Sequence, residues 1–185
     1  MKHHVCPWWL GYLLACPLRR LLQDPAKLLA PYLRQGMTVL EPGPGMGFFT
    51  LELARLVGTG GRVIAVDLQP KMVDRLQRRL REAGLFDRVD VRLGSSDSLR
   101  LADMPGKVDF TLAFAVVHEL PSAAGFFAEI ANASKPGANL LLAEPSGHIA
   151  ADAFESELAA AFQAGFALVD RPQIRRSRAA LLKKI

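Results

Sequence analysis

The chain has 185 residues, half of them hydrophobic, which predicts one globular domain with a full core and excludes disordered and collagen-like classes. Its two cysteines are too few for a disulfide scaffold or a four-cysteine zinc site, and no apolar run reaches the ~18 residues that a transmembrane helix needs. The formal charge is +5, but residues 97–170 carry a balance of −7 and the segments on either side carry +6 each. We interpret the basic C-terminal segment, 171–185, as a solvated edge of the protein.

Apolar runs and helix-spaced apolar patterns alternate along the chain. The predicted elements in chain order are a helix at 24–35, a strand at 37–41, a helix at 48–57, a strand at 62–67, a helix at 71–83, strands at 89–93 and 108–116, a helix at 122–134, a strand at 139–143, a helix at 152–164 and strands at 166–170 and 179–183. Asp24 and Asp152 are the expected N-caps of the first and last helices.

Four of these strands are near-continuous apolar runs, which is typical of a parallel sheet covered on both faces. Five strand-to-helix steps followed by a hairpin therefore predict an α/β fold. We expect a single doubly wound, Rossmann-like sheet of about seven strands, mostly parallel, with a C-terminal antiparallel hairpin and helices on both faces. This domain is expected to span residues 24–185.

Residues 1–23 are expected to form an N-terminal arm or lid. Trp8, Trp9 and Tyr12 could roof a substrate pocket and keep water out, or the arm could pack on the sheet edge or on a partner subunit. The segment before Cys16 imitates a lipoprotein signal, but its apolar stretch is short and prolines bracket it. We therefore expect a cytoplasmic protein with reduced thiols and no membrane contact.

Residues 41–47 read E-P-G-P-G-M-G and place three glycines at alternate positions between a strand and a helix. Glycine suits a loop whose backbone approaches a ligand or adopts positive φ. A nicotinamide-binding loop would need its third glycine at position 48, which is Phe48. The two prolines also lack the N–H groups that a diphosphate would require, so the loop predicts a ligand without phosphates.

Four segments resemble motifs of the class I S-adenosylmethionine-dependent methyltransferases, in the family's order and spacing. The glycine loop with its strand, 39–47, resembles the first motif, and V-I-A-V-D at 63–67 resembles the second. Residues 109–114 are similar to the strand 4 motif, and K-P-G-A-N-L-L-L at 135–142 is similar to the segment that leads into strand 5. The chain therefore resembles a small, single-domain member of that family.

The resemblance implies S-adenosylmethionine as cofactor, S-adenosylhomocysteine as product and no metal. Asp67 would accept hydrogen bonds from both ribose hydroxyls, a task that one carboxylate can perform in a bidentate geometry. Glu41 would order the glycine loop and face the methionine ammonium, and Asp97 or a nearby serine would hold the adenine. The residues expected to bind the cofactor are Glu41, Gly43, Pro44, Gly45, Gly47, Asp67, Leu68, Ser96, Asp97 and Phe114.

His118, at the mouth of strand 4, is the candidate general base because an imidazole titrates near neutral pH. Packing beneath the cofactor or capping of the next helix is the alternative role for this histidine. Glu119 and Glu144 are weaker candidates that we expect to be structural or indirect. His148 joins the three aromatic residues of the arm as a candidate for the substrate lid.

Several acceptor classes are disfavoured by missing motifs. The N/D-P-P-Y/F motif of base-amino methyltransferases is replaced by F-A-V-V at 114–117, and the acidic sets of the arginine and magnesium-dependent catechol enzymes are absent. We expect methyl transfer by in-line displacement to a small, partly apolar molecule, in a pocket closed by the arm or by a second subunit of a homodimer. A non-catalytic cofactor-binding regulatory subunit and an RNA methyltransferase are the alternatives that the sequence leaves open.

Overall fold

The computed structural model describes residues 23–185, and these contain five α-helices and seven β-strands. In chain order they are α1 (Pro25–Leu29), β1 (Thr38–Pro42), α2 (Thr50–Leu56), β2 (Arg62–Asp67), α3 (Pro70–Glu82), β3 (Val89–Leu93), β4 (Val108–Phe114), α4 (Ala123–Ala133), β5 (Ser134–Pro145), α5 (Ala151–Gln163), β6 (Phe166–Asp170) and β7 (Ser177–Lys184). The described residues divide into two compact units, one ending at Gly94 and one beginning at Ser95.

The first unit is built on three parallel strands. β1 pairs with β2, with Leu40 opposite Ile64, and β2 pairs with β3, with Ala65 opposite Val91. Every residue of β2 after the first is buried, as the continuous apolar run predicts. Because the strands are parallel, β1 and β2 both end at the same edge of the sheet, where the glycine loop begins and Asp67 stands.

Helix α3 has one apolar face and a clear start and end, which is why its segment folds as predicted. Met72, Leu76 and Leu80 are buried and lie four residues apart, on one face of the helix, while its other faces are rich in charged side chains. Pro70 occupies the start of the helix, where its missing N–H costs nothing, and Gly84 follows the C-terminus with φ of 67°. The apolar face therefore fixes α3 against the unit's core.

The second unit combines a parallel pair with an antiparallel hairpin. β4 lies parallel to β5, with Leu112 opposite Leu141, and β5 lies antiparallel to β7, with Leu142 opposite Ala180. β6 and β7 form the expected C-terminal hairpin. The strand order of the seven-stranded sheet is β3-β2-β1-β4-β5-β7-β6, which confirms the predicted mostly parallel, Rossmann-like architecture.

Three local predictions were wrong. The first helix ends at Leu29 instead of residue 35, because the ring of Pro31 is incompatible with a continuing helix. Asp152 is not an N-cap: Ala150 holds that position without a side-chain bond, and Asp152 lies inside the first turn of α5. β5 spans 12 residues instead of the five expected at 139–143. The Asp24 cap is confirmed, since its carboxylate accepts from the Ala26 N–H at 3.0 Å.

Within residues 23–185, none of the helices combines the length and the apolar character needed to span a bilayer. The predicted lid residues Trp8, Trp9 and Tyr12 and both cysteines, Cys6 and Cys16, lie outside the described part of the chain.

Candidate active site

The loop after β1 owes its shape to its glycines. Gly43, Gly45 and Gly47 all have positive φ, which L-residues with a Cβ rarely adopt. A Cβ on Gly47 would lie 2.5 Å from Cδ1 of Leu76 and 2.8 Å from Cδ1 of Leu51, so this glycine also permits close packing of the loop on the core. Around Gly45 a Cβ would meet nothing within 4 Å, so the loop leaves open space at that position.

Asp67, at the end of β2, is joined to that loop. Its Oδ2 accepts a hydrogen bond from the Gly45 N–H at 3.0 Å, and its Oδ1 accepts one from the Gln69 N–H at 2.9 Å. The side chain is buried, and burial raises its pKa in spite of these hydrogen bonds. Since each carboxylate oxygen can accept a second hydrogen bond, Asp67 retains capacity for two further donors.

Glu41, the last acid of β1, is buried with 3% of its surface exposed. Among the described residues its Oε2 has no hydrogen-bond partner. Burial raises the pKa of Glu41 to about 8, and the neighbouring charge of Asp67 adds to the rise. A buried carboxyl with one unused oxygen is a place where a donor or a cation would be stabilised.

The other candidate cofactor residues are divided between the two units. Leu68 follows Asp67 and is half-buried, and Phe114, at the end of β4 in the second unit, is also half-buried. Ser96 and Asp97 are exposed on the loop after β3, where the hydroxyl of Ser95 donates to Asp97 at 2.8 Å and lowers the pKa of Asp97. The structure therefore joins Asp67 directly to Gly45, whereas Asp97 bonds only to its own loop among the contacts observed.

The loop carrying Asp97 is fastened by a residue that the sequence did not single out. Glu129 of α4 accepts hydrogen bonds from the Leu99 N–H at 3.0 and 3.1 Å and from the hydroxyl of Ser98 at 3.2 Å. A carboxylate that takes two donors from one loop holds it firmly. No local motif marks Glu129, because it lies 30 residues away along the chain.

In the second unit, an unusual turn places His118. Ala115, directly after β4, has φ of 55°, a strained value for a residue with a Cβ, and its N–H donates to the carbonyl of Ala143 at 2.7 Å. The turn points the N–H groups of Val116 and Val117 at Oε1 of Glu144, at 3.2 and 2.8 Å. The next residue, His118, then lies beside the other oxygen of the same carboxylate.

Nδ1 of His118 lies 2.5 Å from Oε2 of Glu144, and Glu144 is fully buried. The hydrogen bond from Glu144 raises the pKa of His118 against the opposing effect of burial, and the charges of Glu144, Glu119 and Glu157 add to the rise. On the opposite side of the ring, Nε2 is 3.9 Å from Oε1 of Glu119. The imidazole, 23% exposed, is thus held by one nitrogen and accessible from the protein surface.

Glu157 of α5 is a second residue that the sequence did not indicate. It is 9% exposed, and its Oε2 has no hydrogen-bond partner among the described residues. Burial raises the pKa of Glu157 to about 7, and the charge of Glu144 adds to the rise. His148, by contrast, is exposed on the loop after β5, where its backbone N–H donates to the carbonyl of Pro145.

A family model described as a methyltransferase domain matches residues 33–177, which is most of the chain and includes Glu41, Asp67 and His118. The chain belongs to the class I S-adenosylmethionine-dependent methyltransferases. This methyltransferase chain superimposes on the crystal structure of a SAM-dependent methyltransferase from Aquifex aeolicus with a TM-score of 0.85 and 26% identity, over 97% of this chain and 98% of that one.

Curated methyltransferases match shorter stretches. A ubiquinone/menaquinone biosynthesis C-methyltransferase of Klebsiella pneumoniae is 34% identical over 70 residues, 38% of this chain and 28% of that protein. A catechol O-methyltransferase of Mycobacterium tuberculosis is 43% identical over 60 residues, 32% of this chain and 27% of that protein. The matched stretches cover less than a third of the length of these relatives, and the two relatives methylate different kinds of atom.

Proposed function

We propose that this methyltransferase chain binds S-adenosylmethionine and transfers its methyl group to a small-molecule acceptor. The observation that carries the proposal is the arrangement of the buried Asp67 carboxylate, bonded to the loop at Gly45, beside the buried and partly unpartnered carboxyl of Glu41. The names of the two curated relatives, which refer to quinone biosynthesis and to catechol, support a small acceptor.

The residues present fit the cofactor. Asp67 has unused acceptor capacity for the two ribose hydroxyls, and Oε2 of Glu41 offers a buried acceptor for the methionine ammonium. Pro42 and Pro44 withhold two N–H groups, which suits a nucleoside without phosphates. Backbone of Gly43, Gly45 and Gly47 would lie against the cofactor, with Leu68, Ser96, Asp97 and Phe114 as the proposed adenine contacts.

When bound, S-adenosylmethionine supplies a methyl group on a positively charged sulfur, a carbon that is already activated for displacement. The chain's own part is to align the acceptor, exclude water and receive the acceptor's proton. We assign the last task to His118, whose Nδ1 is engaged by Glu144. Its Nε2 makes no hydrogen bond among residues 23–185, with Oε1 of Glu119 3.9 Å away. Trp8, Trp9, Tyr12 and His148 remain the proposed lid over the acceptor.

Calorimetry with S-adenosylhomocysteine tests the cofactor half of the proposal. Asp67→Ala is expected to weaken binding by about 100-fold or more, because two hydrogen bonds to a charged group are lost. Asp87→Ala removes an exposed acid of the same unit and is expected to leave the affinity unchanged. Affinity within a few-fold of wild type in Asp67→Ala would contradict the ribose assignment.

Transfer of labelled methyl from S-adenosylmethionine to a panel of phenols, thiols and amines tests the catalytic half. We expect product with at least one member of the panel. Tight binding of S-adenosylhomocysteine without transfer to any acceptor would instead support a non-catalytic regulatory subunit.

A further inference from the structure

The carboxyl group of Glu144 is held in a single orientation. It is fully buried, and its Oε1 accepts from two successive backbone N–H groups, those of Val116 and Val117. Its Oε2 is therefore the oxygen that meets Nδ1 of His118. A carboxylate in this position makes Nδ1 the protonated nitrogen of the neutral imidazole, so the lone pair of the ring resides on Nε2.

The charges of three carboxyl groups act on this imidazole, and each group comes from a different element. Glu144 ends β5, Glu119 follows His118 in the short turn after β4, and Glu157 lies on α5. All three contribute negative charge that favours the imidazolium form of His118. The cluster is therefore arranged to stabilise one additional proton on His118.

We propose that Glu144 is a positioning residue that directs Nε2 of His118 toward the methyl acceptor as a proton acceptor, and that the acceptor is a hydroxyl or thiol. A hydroxyl or thiol needs a base to remove its proton as it attacks, whereas a neutral amine attacks through its lone pair without one. This inference rests on the proposed methyl transfer and deepens it. The new bond joins the acceptor's oxygen or sulfur to the methyl carbon, the electron pair of the broken carbon–sulfur bond stays on the cofactor's sulfur, and the acceptor's proton goes to Nε2.

The same cluster could instead keep His118 charged, and that role would give methyl transfer the opposite pH dependence. If His118 acted as an imidazolium that binds an acceptor already anionic, transfer would decline as the pH rises through the pKa of His118. A proton acceptor must start without its proton, so the proposal requires transfer to increase through that pKa. Whether the rate of transfer rises or falls with pH therefore distinguishes a proton-accepting His118 from a charged one.

Glu144→Gln is the informative substitution because its geometry is constrained. The two backbone N–H groups require an oxygen, so the amide oxygen takes the place of Oε1 and the amide NH₂ faces His118. Nδ1 then becomes the acceptor, and the ring proton moves to Nε2. The variant keeps the shape of the site and removes the base.

The first readout is NMR of the 185-residue chain with ¹⁵N-labelled histidine, in which His118→Asn identifies the signal of His118 among those of the four histidines. We expect the Nδ1–H tautomer of His118 in the wild type, the Nε2–H tautomer and a lower pKa in Glu144→Gln, and no change in Glu155→Gln, an exposed acid of α5. An Nε2–H tautomer in the wild type would overturn the proposal, even if Glu144→Gln failed to fold.

The second readout is methyl transfer to phenols and alkyl thiols as a function of pH. We expect kcat to rise through the pKa of His118, and to fall about 100-fold or more in Glu144→Gln with KM changed less than about threefold. A falling limb, unchanged kcat in Glu144→Gln, or transfer only to carbon or amine acceptors would overturn the proposal. Calorimetry of the wild type with S-adenosylhomocysteine distinguishes failure of this inference from failure of the proposed function. If the wild type does not bind S-adenosylhomocysteine, the proposed function itself is contradicted.

Discussion

The carboxylate of Asp67 accepts the N–H of Gly45 at 3.0 Å, so the acid that ends β2 also fastens the loop that follows β1. One side chain thus combines a structural task with the proposed binding of a ribose. Substitutions of Asp67 are for this reason best measured together with the stability of the variant, since a loosened loop and a lost ligand contact both reduce affinity.

Gly47→Ala is expected to destabilise the chain more than Gly84→Ala. Both glycines have positive φ, at 83° and 67°, so both substitutions carry backbone strain. Only at position 47 would the new Cβ collide with the core, at 2.5 Å from Leu76 and 2.8 Å from Leu51, whereas nothing lies within 4 Å at position 84. The difference in the free energy of unfolding is expected to reach about 1–3 kcal/mol in urea titrations. Equal losses would contradict the packing of the loop.

The stability of the chain is expected to fall as the pH rises from about 5 to 8.5. In the folded chain the pKa of Glu41 is about 8 and that of Glu157 about 7, against 4.5 for an ordinary glutamate, so the folded state binds more protons across this window. The raised pKa of His118 acts in the same direction, since its stabilising effect is lost as that imidazole deprotonates. Thermal unfolding across the pH range measures the slope.

Glu41→Gln tests how much Glu41 contributes to this pH dependence of stability, because its neutral amide removes the cost of ionising a buried acid. Its unfolding temperature is expected to depend less on pH than that of the wild type, while Glu82→Gln, an exposed acid of α3, retains the full slope. Identical slopes in all three proteins would show that Glu41 ionises in the folded state as it does in the unfolded chain.

Glu157→Gln is expected to lower the pKa of His118, because one of the charges that favours the imidazolium is removed. Histidine NMR against pH measures the shift, and Glu155→Gln, which changes an exposed acid paired with Arg171, serves as the control. A His118 titration that is the same in both variants would remove Glu157 from the cluster.

Glu129→Ala is expected to loosen the loop after β3, since Leu99 and Ser98 lose their shared acceptor. Faster hydrogen exchange of the Leu99 amide and a several-fold weaker affinity for S-adenosylhomocysteine are the expected results. Unchanged affinity with faster exchange would place Ser96 and Asp97 outside the nucleoside site.

The sequence predicted those parts of the fold that short-range patterns encode. β2 and β3 have the bounds expected at 62–67 and 89–93, because turn residues flank a continuous apolar run in β2 and an alternating V-D-V-R-L pattern in β3. β5 was underestimated since K-P-G at 135–137 is typical of a turn, yet the strand begins at Ser134, which pairs with Val108 across a bulge. Prediction of α1 failed at Pro31, where an apolar pattern continued past the point at which the backbone could remain helical.

The chemistry of the second unit was only partly predictable. His118 stands out because it follows a strand motif, but its partner Glu144 is 26 residues away and meets it only through the pairing of β4 with β5. Sequence spacing carries no information on such a contact, and we expected Glu144 to be structural or indirect. Glu157 belongs to no motif, and its significance follows from burial beside Glu144, which only the packing of α5 determines.

A crystal structure of the chain with S-adenosylhomocysteine would show where the nucleoside binds. We expect the two ribose hydroxyls within hydrogen-bonding distance of the Asp67 carboxylate and the nucleoside against the backbone of the glycine loop. A ribose bound elsewhere, or side chains filling the space beside Gly45, would contradict this expectation.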